Sequence, residues 1–266
     1  MHDGGRLRVG KLPGMAEWFE SFFDALAHDV WRGLVPDEHS DAEAQFLADA
    51  LGLETDFPSR LLDAPSGEGR LAVRLAAMGH HVTGVDLSAV AIERLGESAV
   101  AAGLPVDVVC GDLRQLREVL PAGVSYDGAY CMGNSFGYLD DEGTSAFVRG
   151  IAHALRPGAR FVVDHPMAAE CILAHYSESD THRVGDIALS IENSYEAATS
   201  TVVGTTTLEH AGEVAERTVR HRVTTCAQVV NVLEASGFDI IGLFGGIDGS
   251  PFTVGAPTLV VLAARR

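Results

Sequence analysis

The stretch LLDAPSGEGRLAV, residues 61–73, decides the architecture of this 266-residue chain. Two leucines run into Asp63, a proline and a serine follow, and Gly67 and Gly69 flank a glutamate before an apolar pattern of helical spacing resumes. An apolar run that ends in a glycine-rich turn and opens a helix is the exit of a buried strand. Glycine in such a turn lets the backbone approach a ligand closely, and the helix beyond it presents free N–H groups. A plain tight turn also needs glycine, so the meaning of Gly67 and Gly69 rests on what surrounds them.

Outward from that stretch, short buried-looking strands at 60–64, 81–86, 105–110, 126–132 and 159–164 alternate with helical patterns at 69–79, 88–102 and 141–155. Alternation of this kind predicts a parallel sheet with helices on both faces. Residues 185–225 break the rhythm: they are rich in Thr and Val with period two and read as antiparallel strands, with a hairpin turn at Gly212. A helix over CAQVVNVLEASG, stopped by Gly237, and two final strands, FDIIGLFG and TLVVLAAR, complete the chain. Upstream, residues 15–31 put Trp18, Phe19, Phe22, Phe23, Leu26 and Val30 on one helical face. Pro36 breaks that pattern, and Ser40 or Asp41 is expected to cap a second helix through Leu53, with Glu43 near its start. The fold class expected is α/β: a Rossmann-like, doubly wound, mostly parallel seven-stranded sheet with an antiparallel β insertion before the last helix and N-terminal lid helices. Residues 1–55 read as arm and lid, and 56–266 as the main domain with its β elaboration at about 170–225.

Composition is that of a globular protein, 47% apolar and 21% charged, and no apolar run reaches the length of a membrane span. The N-terminal MHDGGRLRVGKLPG has no apolar core and reads as a loose arm, not a secretory signal. A net charge of −18 argues against nucleic acid and anionic membranes as partners. Cys110, Cys131, Cys171 and Cys226 form no C-x-x-C pair, which leaves a reducing cytoplasm as the expected location and no metal site.

Ligands of open parallel sheets sit at the carboxyl ends of the strands. Asp63, Asp86 and Asp112 stand at three consecutive strand ends, and together they form an acidic rim that three unrelated helix caps would explain poorly. Gly67-x-Gly69-x-x-Ala72 also fits a dinucleotide fingerprint, so an NAD-dependent oxidoreductase is the first rival reading. Asp63 beside the glycine loop, with only Arg70 to compensate, would repel a pyrophosphate. A cationic ligand with an adenosine end suits the rim better.

With these residues in view, the chain resembles the class I, Rossmann-like S-adenosylmethionine-dependent methyltransferases from about Arg60 to the C-terminus. LLDAPSGEG is similar to their glycine-rich first motif, and implies Asp63, Ala64, Gly67 and Gly69 as cofactor-binding positions. Pro65 departs from that motif and removes one backbone donor, so a slightly altered loop is expected. GVDLS resembles the ribose-binding loop, implying Asp86 on the ribose and Leu87 beside the adenine; CGDL resembles the adenine loop, with Asp112 and Leu113. YDGAYCMGNSFGYL is similar to the fourth-strand motif, placing Met132, Gly133, Asn134 and Ser135 at the methionine end, and ALRPGARFVVD resembles the turn into the fifth strand. The β elaboration and the C-terminal stretch resemble small-molecule N-methyltransferases of the amino-sugar and glycine type. The resemblance implies S-adenosyl-L-methionine as cofactor, S-adenosyl-L-homocysteine as product and a small-molecule amine or hydroxyl as acceptor.

Methyl transfer from an activated donor asks the protein mainly for orientation and a dry cavity; a hydroxyl acceptor gains from a base. The candidate base is His165 at the end of the fifth strand, against the plain alternative of a strand-end histidine bonded to backbone. Asn134 and Tyr138 follow the fourth strand and are expected to position the acceptor, whereas Tyr130 reads as core. His175, Tyr176, His221 and Arg222 in the antiparallel roof read as structural, and Trp31 and Arg32 as able to touch a ligand. A catalytically silent binding protein of the same fold is the second rival, and the roof offers an edge by which a homodimer could form.

Overall fold

The computed structural model describes residues 18–22, 32–210 and 213–266. The main sheet consists of β1 (Arg60–Asp63), β2 (His81–Asp86), β3 (Val106–Cys110), β4 (Tyr126–Cys131), β5 (Leu155–Asp164), β10 (Phe238–Phe244) and β11 (Val260–Arg265). Its order is β10-β11-β5-β4-β1-β2-β3, with β11 alone running against the others. The quoted stretch lies at the centre: Leu62 pairs with Thr83 of β2 on one side and Ala129 of β4 on the other. The strand order reverses between β1 and β4, which opens a crevice beyond their carboxyl ends.

Successive side chains of a strand face opposite sides of the sheet, so Leu61 and Leu62 anchor two separate cores. Leu61 packs with Leu47, Leu75 and Leu95 from α2 (Asp37–Leu51), α3 (Ala72–Ala77) and α4 (Ala89–Ala102). Leu62 belongs with Leu116 of α5 (Leu116–Val119), Phe147 and Ile151 of α6 (Asp141–Ala154) and Leu233 of α8 (Cys226–Ala235). Each such leucine contributes about 1.5–3 kcal/mol by leaving water, which ties the glycine loop to both layers.

Several boundaries differ from expectation, and two of them bear on the site. α2 begins at Asp37 with an extended Pro36 at its N-cap, not at Ser40 or Asp41, because proline at a helix start loses no hydrogen bond. Ser40 and Glu43 are therefore buried inside the helix, and Leu47 and Leu51 join the core. α3 is shorter than the expected 69–79, because Gly69 lies in the loop with φ of +77°.

The elaboration is a separate antiparallel sheet of β6 (Ser179–Val184), β7 (Ile187–Glu196), β8 (Thr201–His210) and β9 (Glu213–Arg222), in that order. It follows β5 and the short α7 (Ala169–Ile172) and returns into α8. Backbone bonds from Arg222 N–H to Gly137 C=O (3.0 Å) and from Ala169 N–H to Thr224 C=O (2.8 Å) fasten it to the main body. α1 (Trp18–Phe22) lies against β9. The expected turn at Gly212, the arm, and Phe23, Leu26, Val30 and Trp31 fall outside the described residues. No helix among the described residues is long and apolar enough to cross a membrane.

Candidate active site

A cavity of about 840 Å³ opens at the carboxyl ends of β1, β2, β3 and β4, roofed by β9 and α1. Its floor is the glycine loop. Gly67 has φ of +53° and Gly69 +77°, conformations that cost a residue with a Cβ about 1–2 kcal/mol. The two glycines serve different ends. A Cβ on Gly67 would meet nothing within 4 Å, so its bare backbone faces the cavity, whereas a Cβ on Gly69 would fall 2.0 Å from Leu95 Cδ1. Gly69 is thus required by the packing of α4 and does not line the cavity; Ala64, fully buried, continues β1 by donating to Tyr130 C=O (3.1 Å) and does not line it either.

Asp86 organises the loop. Its Oδ2 accepts from the Gly67 N–H (2.8 Å) and its Oδ1 from the Ser88 N–H at the start of α4 (2.8 Å). Leu87, Leu113, Met132 and Gly133 line the cavity beside it, as does Asp112.

The acidic rim differs in kind from the expectation. Asp63 lines the cavity together with Asp86 and Asp112, yet it is only 3% exposed, and burial raises its pKa well above the ordinary carboxylate range against the opposing influence of Tyr130 and Arg70. The Tyr130 hydroxyl lies beside that carboxyl, outside good hydrogen-bond geometry. Asp112 caps the 3-10 turn at Leu113–Gln115 and is clasped by Arg114. Burial opposes its charge, but the Arg114 hydrogen bonds outweigh that and lower its pKa. The single-cap explanation therefore holds for Asp112, though its carboxylate also reaches the cavity.

The loop is also less acidic than the sequence suggested. Glu68 draws in Arg32 and Arg94, and Arg70 pairs with Glu43 of α2 and donates to Ser40 Oγ (3.1 Å). These partners come from distant positions, so the repulsion of a pyrophosphate at this loop is weaker than Asp63 and Arg70 alone imply.

At the other end, the turn after β4 holds two successive left-handed residues, Gly133 at φ of +78° and Asn134 at +67°. Asp164, at the end of β5, accepts from the Thr258 hydroxyl and stands near the Gly133 and Asn134 amides, which favour its charged form; burial nevertheless raises its pKa. Asn134 lines the cavity, and its Oδ1 is buried without a partner. Left-handed backbone beside an unsatisfied acceptor makes Asn134 a candidate site residue.

Tyr138 lines the cavity as expected, within an aromatic cluster: its ring is 4.8 Å from that of Trp18, 6.3 Å from Phe19 and 5.2 Å from His221. The expected base is elsewhere. His165 is 0% exposed, its Nε2 is bonded to Thr224 Oγ1 (2.8 Å), and it does not line the cavity. Burial, with His221 nearby, lowers its pKa to about 4. Of the roof residues, His175 bonds Gly255 C=O, Tyr176 bonds Asn193 C=O and Arg222 pairs with Asp141; His221 instead lines the cavity. Asp164, not considered in the sequence, and His221, read there as structural, are what the structure adds to the candidate site. Asp164 adjoins the chosen histidine, and His221 alternates with Arg220 and Arg222 on a strand whose inward face carries no uniform apolar signal.

Residues 61–158 match a family described as a methyltransferase domain. A glycine N-methyltransferase of Rattus norvegicus is 30% identical over 157 residues, 55% of this chain and 53% of the relative. The chain thus spans about half the length of that relative. Among solved structures, an S-adenosylmethionine-dependent methyltransferase from Clostridium acetobutylicum superposes with a TM-score of 0.75 at 15% identity, over 90% of this chain and 96% of the other. The sugar N-methyltransferase KedS8 from a Streptoalloteichus species superposes with a TM-score of 0.67 at 19% identity, over 98% and 100%.

Proposed function

We propose, from the premise that residues 61–158 form a methyltransferase domain on the Rossmann-like class I fold, that the chain transfers a methyl group from S-adenosyl-L-methionine to a small-molecule acceptor. The observation that carries the reading is the pairing of Asp86 with the bare backbone of Gly67 at the cavity floor. The residues fit the cofactor. Asp86 would take the ribose hydroxyls, Leu87 and Leu113 the faces of the adenine, and Asp112 its amino group. Met132, Gly133 and Asn134 would surround the methionine end, where the orphaned Asn134 Oδ1 suits the ammonium and the largely buried Asp63 lines the same cavity. Arg70 at the cavity wall is placed for the carboxylate.

When bound, S-adenosyl-L-methionine supplies a methyl group already activated on sulfur. The chain's own task is to orient and to exclude water. Asp164 stands beside the turn that presents Asn134, while Trp18, Phe19 and Tyr138 close the acceptor end with aromatic rings. A volume of about 840 Å³ accommodates both the nucleoside and a small acceptor.

The net charge of −18 favours a small acceptor over nucleic acid. We place the enzyme in the cytoplasm on its four free cysteines, and the exposed edge strand β6 is the surface by which two copies would pair. Calorimetric titration with S-adenosylmethionine, S-adenosylhomocysteine and NAD in parallel tests the function. Micromolar binding of the sulfur nucleosides with no heat from NAD is expected; NAD binding alone would move the chain to redox chemistry.

A further inference from the structure

The cavity has two ends of opposite character. Among the described residues that line it, every Asp, Glu and Arg lies on the glycine loop, on α2, α3 or α4, at the ends of β1, β2 and β3, or at Arg32. The end built by α1, β9 and the turn after β4 has none of these: its wall is Trp18, Phe19, Phe22, Tyr138, Leu139 and Val219, with His221 beside them. Phe22 is 4% exposed, but Trp18, Phe19, Tyr138, Leu139 and Val219 are half-buried and keep accessible apolar surface where they line the cavity. The strand EVAERTVRHR carries Arg217, Arg220 and Arg222, yet none of them lines the cavity. Arg220 pairs with Glu196 and Arg222 with Asp141. Val219 stands opposite Gly204 of β8, whose missing side chain leaves it room: a Cβ there would lie 3.0 Å from Val219 Cγ2.

We propose that the acceptor is an uncharged aromatic compound, held by its ring against this wall while the nucleophile carried on the ring faces the methyl group of the donor. This rests on the methyltransferase reading above and deepens it. In the transfer the bond from the acceptor's heteroatom to the methyl carbon forms as the carbon–sulfur bond of the donor breaks. Sulfur keeps the electron pair, and the proton of the heteroatom leaves to water. An aryl hydroxyl or an aryl amine meets the requirement, since each carries its lone pair without a formal charge.

The ring geometry favours a planar guest. Aromatic rings associate edge-to-face or offset-parallel at centroid separations of about 4.5–7 Å, and both modes are present. Trp18 meets Tyr138 edge-on at 4.8 Å and 71°, and Tyr138 runs nearly parallel to Phe19 at 6.3 Å and 16°. A further ring continues either arrangement. A compact cation is recognised differently, by several ring faces turned on one point. Here Trp18 lies within 5.8 Å of Phe19, Phe22, Tyr138 and His221, so the rings engage one another and form a wall, not a cage. A zwitterion such as glycine, or a protonated amino sugar, would bring charge into apolar surroundings with no carboxylate or guanidinium at this end to pair with it, and an unpaired buried charge is costly.

The test is calorimetric titration of the full chain, saturated with S-adenosylhomocysteine, with 2-naphthol as the neutral aromatic probe and glycine, glucosamine and tetramethylammonium as its counterparts. 2-Naphthol is expected to bind saturably and at least tenfold more tightly than any of the other three. Val219→Asp, which sets a carboxylate in the wall, should weaken 2-naphthol at least tenfold while S-adenosylhomocysteine affinity stays within about twofold. Val219→Thr, of nearly the same shape, should weaken it about threefold and carries the comparison where the charged variant does not fold. Binding of glycine, glucosamine or tetramethylammonium as tight as that of 2-naphthol, or 2-naphthol affinity that neither variant changes, overturns the assignment. Binding of S-adenosylhomocysteine without any binding of 2-naphthol sinks this inference alone. Failure of S-adenosylhomocysteine to bind, with the 2-naphthol preference intact in the free chain, instead sinks the cofactor reading and leaves the aromatic site standing.

Discussion

Substituting Gly69 with alanine separates the two glycines that opened the problem. At φ of +77° the new Cβ would lie 2.0 Å from Leu95 Cδ1 and 2.9 Å from its Cγ. Leu95 is fully buried on the inner face of α4, so its side chain can shift only by disturbing packed neighbours. The left-handed conformation costs about 1–2 kcal/mol and the overpacking about 1–3 kcal/mol. Gly69→Ala should therefore lose about 2–5 kcal/mol, a large share of the roughly 5–15 kcal/mol that holds a typical domain folded. Gly67→Ala, at φ of +53° with nothing within 4 Å, should lose only the conformational part, about 1–2 kcal/mol. Urea unfolding of both variants measures the difference as a shift in midpoint at constant m-value. A double-mutant cycle with Leu95→Ala sharpens it: truncating Leu95 should cost about 1–3 kcal/mol less in the Gly69→Ala background, where the added methyl already occupies the space. If Gly69→Ala is no worse than Gly67→Ala, or the cycle shows no coupling, the steric account of the second glycine is wrong.

Other expectations follow from the same geometry. Asp86→Ala removes the acceptor of the Gly67 and Ser88 N–H groups; at about 1.5–3 kcal/mol for hydrogen bonds to a charged group, S-adenosylhomocysteine affinity should fall at least tenfold by calorimetry, and an unchanged affinity would remove Asp86 from the site. Asp164→Ala removes the carboxylate near the Gly133 and Asn134 amides and should cost about 1–3 kcal/mol in urea unfolding, with nucleoside affinity falling alongside; a cost under about 0.5 kcal/mol, the scatter of surface changes, would mean that the turn is self-supporting. His165 supplies a pH test. Its pKa of about 4 lies below the value of 6.5 it has when exposed, so the unfolded chain binds its proton first and stability falls as pH drops from 6.5 towards 4. By pH 5 the loss attributable to His165 is about 2 kcal/mol. His165→Gln should not show it. Asp63 and Asp164, whose raised pKa values act in the opposite direction, largely cancel in the difference between parent and variant. Parallel stability curves for the two proteins would contradict the buried-neutral histidine.

What the sequence made legible follows the length scale of each interaction. Asp86 and Gly67 could be read because strand period and turn chemistry are local, and one hydrogen bond between adjacent strand ends joins them. The burial of Asp63 could not, since a carboxylate at a strand end looks the same in sequence whether it is solvated or buried. Nor could the cations around Glu68: Arg32 and Arg94 are 36 and 26 residues away and meet it only through the fold. His165 was favoured by position in the chain, yet the hydroxyl of Thr224, 59 residues on, claims its Nε2. His221 was hidden by the β9 pattern EVAERTVRHR, in which charged residues occupy both alternating faces. Only pairing with β8 and the approach of α1 decide that Val219 and His221 turn inward.

The most direct test of the central claim is a crystal structure of the chain with S-adenosylhomocysteine. The account predicts both ribose hydroxyls within hydrogen-bonding distance of Asp86, the adenine between Leu87 and Leu113, and the amino-acid end against Gly133 and Asn134, with the sulfur directed towards Tyr138 and His221. A nucleoside bound away from Asp86, or lying with its sulfur turned from the aromatic cluster, would contradict it.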